Sequence, residues 1–114
     1  MEQHALEIRS ETRPGVAIVH VKGDATAAAI DPMRQAIAAA IASKSPKVVI
    51  DLSGTTFLSS PGLAVLVQAM QLVKRGGGTL VLAGPDERVR GIFEISRLTD
   101  VFTIAPTLEA ALGA

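Results

Sequence analysis

Two short apolar runs constrain this chain more than any other feature. Lys47-Val-Val-Ile-Asp-Leu52 and Thr79-Leu-Val-Leu-Ala83 have the length of strands and too little alternation to leave one face in water. Strands of that kind lie inside a sheet that is covered on both faces, so the segments between them must supply the cover. Each run is followed by a helix start. Ser60-Pro61-Gly62 opens a helix with an inward stripe of Leu63, Leu66, Val67, Met70 and Val73. Lys74-Arg75 suits its negative end, and Gly76-Gly77-Gly78 stops it. Gly84-Pro85-Asp86-Glu87 opens another, with Val89, Ile92, Phe93 and Ser96 on one face.

The remaining elements fit the same plan. Ala5–Ser10 and Val16–Lys22 alternate around the turn signal Thr12-Arg13-Pro14-Gly15 and read as a hairpin of half-buried strands. Asp31-Pro32 starts a helix carrying Met33, Ile37, Ala40 and Ile41, which fades at Ser43–Pro46. Its alanine-rich stretch, Ala36–Ala42, makes a thin face that packs closely. Val101–Ile104 is a short last strand, and Pro106-Thr107 starts a terminal helix with Leu108, Ala111 and Leu112. The order β-β-α-β-α-β-α-β-α predicts an α/β fold with a single mixed β-sheet. Its opening hairpin is antiparallel and its crossovers are right-handed. No linker or repeat interrupts residues 1–114, and that length suits one domain.

Composition removes whole classes of function. Eleven basic residues balance eleven acidic ones, and only three aromatics are present, all phenylalanine. Such a chain has neither the charge to hold a phosphate backbone nor rings to stack on bases, so no nucleic-acid partner is expected. With no cysteine there is no disulfide, thiolate metal site or thiol nucleophile. The first residues, Met-Glu-Gln-His-Ala-Leu-Glu, lack a basic-then-apolar leader, and no apolar run approaches a membrane span. A cytoplasmic domain without membrane insertion is expected.

Catalytic groups are scarce. His4 lies near the chain start and His20 on a half-exposed strand, and both read as solvated or core-edge residues. Neither a nucleophile elbow nor a phosphate-cradling glycine motif occurs. The triple glycine follows a helix, the wrong side for phosphate. A receiver-type phosphorylation switch would need an acidic pair after the first strand and a lysine after a late one. Asp51 has neither companion. No enzyme activity, cofactor or metal is expected.

The loop Gly54-Thr-Thr-Phe-Leu-Ser-Ser-Pro-Gly-Leu63 is the informative segment. Proline in the first helical turn makes Ser60 the expected N-cap, its hydroxyl accepting from free amides of that turn. A phosphoryl group there would face the positive helix end and unpaired amides, so it could be added without unfolding the helix.

The same residues resemble a family. Val48-Val-Ile-Asp-Leu-Ser-Gly-Thr-Thr-Phe-Leu-Ser-Ser-Pro-Gly-Leu63 is similar to the central strand, loop and helix start of STAS domains, specifically bacterial anti-sigma-factor antagonists. Gly76-Gly77-Gly78-Thr-Leu-Val-Leu82 resembles the family's glycine pair and next strand. Val89–Leu98 and Asp100–Ile104 resemble its third helix and last strand, and Val19–Gly23 the end of its second strand. The likeness runs through essentially the whole chain in order.

The resemblance implies a partner-switching regulator. Such a protein binds an anti-sigma factor, often a serine kinase, and is released from it by phosphorylation of a loop serine. A metal-dependent serine/threonine phosphatase restores binding. The phosphoacceptor position matches Ser60. Ser59 matches the family's Asp/Ser position, Pro61 its small residue, and Gly62-Leu63 its glycine and leucine. Where many members read Gly-Glu-Leu-Asp, this chain has Gly23-Asp24-Ala25-Thr26. The expected partner surface comprises Asp24, Thr26, Thr55, Thr56, Ser59, Ser60, Pro61 and Gly62. The alternative is a STAS subunit of a transporter or a signalling scaffold, which would need no phosphorylation.

Overall fold

The structure, a computed structural model, describes residues 4–113; the expectation for the first residues of the chain, Met1–Gln3, lies outside them. Strands β1 (Glu7–Arg13) and β2 (Val16–Ala25) form the hairpin. A single 3-10 turn, Ala27–Ala29, leads into α1 (Ile30–Ala42), followed by β3 (Lys47–Leu58) and α2 (Ser60–Arg75). Then come β4 (Thr79–Ala83), α3 (Glu87–Ile95), β5 (Thr103–Ala105) and α4 (Leu108–Gly113). The expected order and the mixed sheet are both present. Strands lie in sequence order β1-β2-β3-β4-β5, with β1 and β2 antiparallel and every later pair parallel.

That simple order fixes where the helices go. Each crossover moves one strand further in the same direction, and right-handed connections then place α1, α2 and α3 on one face. Beneath them Val19, Ile50 and Leu82 meet Met33, Leu66 and Phe93 in the main core. Each such side chain, fully withdrawn from water, contributes about 1.5–3 kcal/mol. Phe93 also meets Phe102 edge to face at 5.5 Å, which ties α3 to the approach to β5. On the opposite face Ile18, Val49, Val81 and Ala83 pack under α4 through Ala111, Leu108 and Leu112. This cover lies over β3–β5 and reaches the start of β2 at Val16 and Ile18. On the β1–β2 half, His20 lies partly buried between Asp51 Oδ2 and Glu11 Oε1, 2.7 Å from each.

The sequence expectation needs correction in five places. β1 is Glu7–Arg13 and not Ala5–Ser10, because the turn needs only Pro14 and Gly15 and leaves Thr12 and Arg13 paired with Ala17 and Val16. β3 does not end at Leu52 but continues to Leu58, because β2 also runs on to Ala25 and pairs with the added residues. The inward face of α2 is turned from the expected stripe: Gly62, Val65, Leu66, Ala69 and Val73 are buried, while Leu63, Val67 and Met70 are only partly so. Ser96 is exposed as the C-cap of α3. The last strand is Thr103–Ala105, since Val101 belongs to the preceding turn.

Candidate functional site

The parallel strands β2 and β3 end at the edge of the sheet where α2 begins. Between Gly23 and Asp24 the pairing slips, so that Gly23 faces Thr55 and Asp24 faces Phe57. Thr56 is the extra residue of this bulge, and bulges turn side chains off their regular direction. Its hydroxyl donates to Asp24 Oδ1, while Asp24 Oδ2 accepts the His4 backbone amide at 3.1 Å. The Thr56 hydroxyl and then the His4 amide hold the partly exposed Asp24 carboxyl below its ordinary pKa, with Arg88 adding a weaker pull. Asp24 and Thr56, expected to be neighbours, are hydrogen-bonded.

Gly23 makes this corner possible. Its φ is +97°, and a Cβ there would stand 2.2 Å from the Ala5 carbonyl oxygen. The segment before β1 therefore crosses directly over Gly23, and Asp24 N–H donates to the His4 carbonyl at 2.9 Å.

The start of α2 differs from the expectation in an instructive way. Ser59, not Ser60, is the N-cap: its backbone is extended and its hydroxyl accepts the Gly62 amide at 3.2 Å. The Ser59 amide donates to the Ala25 carbonyl at 3.0 Å, which pins the cap to the end of β2. Ser60 is the first helical residue and Pro61 the second. The Leu63 amide donates to the Ser59 carbonyl at 2.9 Å. Proline has no amide, so of the first four helical positions only Ser60 keeps an unused N–H. The expected cluster of free amides is thus reduced to one. The Ser60 hydroxyl is exposed and makes no hydrogen bond among the described residues.

Two other expected surface residues face inward. Thr55 is only 1% exposed, and its hydroxyl donates to the Val21 carbonyl at 2.7 Å. That bond gives the Val21 carbonyl a partner where the β2–β3 register first shifts, between His20 and Lys22, and the buried side chain cannot touch a partner protein. Gly62 is buried too. A Cβ there would lie 2.7 Å from Leu58 Cδ1 and 3.4 Å from Ile30 Cδ1, so its smallness lets α2 settle against β3 and α1. Thr26 is partly exposed and starts the 3-10 turn, its carbonyl accepting from Ala29 N–H at 3.1 Å. Pro61 is exposed beside Ser60.

Two residues outside the expected set belong to the same edge. Phe57 is 46% exposed, a large aromatic in water, and faces Asp24 in the strand register. Arg88, on the first turn of α3, is close enough for its charge to act on Asp24. The alternation of β3 breaks at the bulge, so the period of the sequence carries no sign that Phe57 points outward. Among the described residues no group of His, Asp or Glu is arranged to hold a metal ion, and no helix is long and apolar enough to cross a membrane.

Comparison with known proteins agrees with this architecture. The STAS domain family model matches residues 7–111. BtrV of Bordetella bronchiseptica, named as an anti-sigma factor antagonist, is 31% identical over 100 residues, covering 88% of this chain and 86% of that protein. The anti-sigma-F factor antagonist RsfA of Mycobacterium tuberculosis is 28% identical over 113 residues, covering 97% and 88%. The crystal structure of an anti-sigma factor antagonist from Mycobacterium paratuberculosis superposes with a TM-score of 0.82 at 32% identity, covering 95% of this chain and 92% of that one. This chain belongs to the STAS domain family.

Proposed function

We propose that this STAS domain is an anti-sigma-factor antagonist whose binding to an anti-sigma factor is switched off by phosphorylation of Ser60. The observation that carries this reading is the state of the Ser60 hydroxyl: exposed, without a partner among the described residues, and on the first turn of a helix. A residue that merely capped the helix would have its oxygen engaged, and Ser59 already does that work. The names of the relatives BtrV and RsfA support the choice of partner.

In this mechanism the unmodified surface binds through Phe57, Ser60, Pro61 and the Asp24–Thr56 pair. An aromatic side chain desolvated at the centre of a contact is the usual source of affinity, and the polar pair around it gives register. A phosphoryl group on Ser60 adds close to two negative charges at pH 7. The free folded domain tolerates them, because the positive end of the α2 dipole and the Ser60 N–H lie beside them. In the complex those charges would be buried without a cation, and a desolvated unpaired charge costs several kcal/mol. The helix therefore stays folded while the contact is lost. The kinase is expected to be the anti-sigma factor itself, and a metal-dependent serine/threonine phosphatase would reset the switch.

The direct test incubates the protein with its anti-sigma factor and Mg-ATP and maps the labelled peptide. Label on Ser60, with loss of the complex, is expected. Label on Ser59 alone or outside residues 54–63 would overturn the site. Tight binding with no labelling would favour a scaffold or transporter role.

A further inference from the structure

The two edges of the sheet are not alike. β5 is three residues long, too short to template another strand. β1 is seven residues long, pairs with β2 without a register shift, and has no proline within it. Neither a bulge nor a proline interrupts it, and the one guard it carries is charge, on Glu7, Arg9, Glu11 and Arg13. We propose that this edge is a self-association surface, on which β1 of a second copy of this chain pairs antiparallel about a two-fold axis at Ser10.

The backbone has the right phase. Pro14 and Gly15 make a two-residue turn, Gly15 with φ +81°, so Arg13 and Val16 close the hairpin as a hydrogen-bonded pair. In an antiparallel ladder the inward and outward groups alternate. Arg13, Glu11, Arg9 and Glu7 thus spend their N–H and C=O groups on β2. Ile8, Ser10 and Thr12 point theirs out of the sheet, where nothing among the described residues receives them.

The charges then select one register. Side chains of Glu7, Arg9, Glu11 and Arg13 share one face of β1 and alternate in sign. With two copies antiparallel about Ser10, Glu7 faces Arg13 of the second copy, and Arg9 faces Glu11. Every charge meets its opposite, in the closely spaced non-hydrogen-bonded positions where side chains interact most. A shift by one pair in either direction sets Glu7 against Glu11 and Arg9 against itself, or Arg9 against Arg13 and Glu11 against itself. Like charges there are repelled, so the pattern favours one pairing and opposes its neighbours. Arg9 has no ion pair among the described residues, and the second copy's Glu11, which already holds His20 and Arg13 of its own chain, would be shared with it. Edge charges of one sign would repel a second copy in every register, whereas the alternating signs here are self-complementary in one.

The proposal is independent of the role of Ser60, which lies at the strand ends and not on this edge. It is tested by sedimentation equilibrium of the wild-type chain from about 10 µM to about 1 mM. A reversible monomer–dimer equilibrium, weakened by added salt, is expected. Arg13→Glu places two like-charge pairs in the dimer and should raise the dissociation constant roughly tenfold or more. Glu7→Arg combined with Arg13→Glu exchanges the signs and should restore it. Amide exchange at Ser10 and Thr12 should slow as concentration rises, while unchanged circular dichroism verifies that the variants fold. A chain that stays monomeric up to about 1 mM overturns the proposal. So does a dimer indifferent to Arg13→Glu, or one whose concentration-dependent protection falls elsewhere than on β1.

Discussion

The hydroxyl of Ser59 accepts the Gly62 amide at 3.2 Å and leaves the hydroxyl of Ser60, one residue on, without a partner among the described residues. Capping and accessibility therefore reside in two adjacent serines and can be separated by substitution. A cap lies before the helix and bends its side chain back to the first turn, which withdraws its oxygen from outside chemistry. A first helical residue points its side chain away and remains available. Ser59→Ala should cost about 1 kcal/mol of folding free energy, the usual loss for a serine cap. Ser60→Ala should stay within about 0.5 kcal/mol of wild type, as an exposed residue with no bond to lose. Urea unfolding of the two variants reads the difference.

Asp24 and Thr56 yield a pH prediction with a definite sign. The carboxyl is held below its ordinary pKa by the Thr56 hydroxyl first and the His4 amide second. A depressed folded pKa contributes stability that is present above the unfolded value and lost as pH falls through the folded one. Thr56→Val removes the larger cause, so the Asp24 carboxyl should titrate at higher pH than in wild type. A carboxyl-carbon NMR titration below pH 6 checks it; an unmoved midpoint would mean that the bond does not hold the charge in solution.

How much of this was legible beforehand depended on whether neighbours or distant partners set the geometry. The core strands could be read because Val48, Val49, Ile50 and the run Leu80–Ala83 need cover on both faces wherever they lie. Ser53-Gly54-Thr55-Thr56 reads as loop because its strand character comes from the tail of β2, about thirty residues away. Ser59 and Ser60 both precede a proline, and proline is tolerated at either of the first two helical positions, so local chemistry could not assign the cap. The buried Thr55 hydroxyl and the Asp51–His20–Glu11 chain depend on strand register, which no spacing in the sequence reveals.

His20 joins β1 to β3 through two carboxylates, and its loss should be felt in acid. Burial pushes the Asp51 carboxyl up, but the Ser53 amide at 3.0 Å, the Ser53 hydroxyl and the His20 ring together hold it below its ordinary value. The stability tied to Asp51 is therefore present above the unfolded aspartate value and lost as pH drops through the lower folded one. His20→Phe withdraws part of the opposing pull, and the Asp51 pKa should rise. Acid unfolding followed by circular dichroism should then begin at higher pH than in wild type, with the two curves converging where Asp51 is protonated in both.

Gly23→Ala should detach the crossing segment without unfolding the sheet. The new Cβ meets a backbone oxygen at 2.2 Å and a positive φ, and neither can relax by a side-chain rotation. The His4–Asp24 backbone bonds should break, at a cost of about 1–3 kcal/mol. Hydrogen exchange at the Asp24 amide, fast in the variant and slow in wild type, reports the event. Protection that persists in the variant would place the crossing elsewhere.

The proposed switch makes its sharpest statement through Phe57 and Ser60 together. Phe57 is already half in water, so Phe57→Ala should change stability by less than about 1 kcal/mol, far below the 3–5 kcal/mol of a buried phenylalanine. If Phe57 anchors the anti-sigma factor, the same change should weaken the complex about thirtyfold or more, the loss of a hot-spot aromatic. Ser60→Asp acts by another route. A carboxylate at the first helical position suits the helix dipole, so the fold should be as stable as wild type or slightly more so. Inside the complex that charge has no free backbone donor beyond the residue's own N–H, since Pro61 has none and Gly62 and Leu63 are engaged. Binding should fall at least tenfold by calorimetry, whereas Ser60→Ala should bind like wild type. Equal affinity for the aspartate and alanine variants would remove Ser60 from the interface while leaving Phe57 to be judged by its own variant.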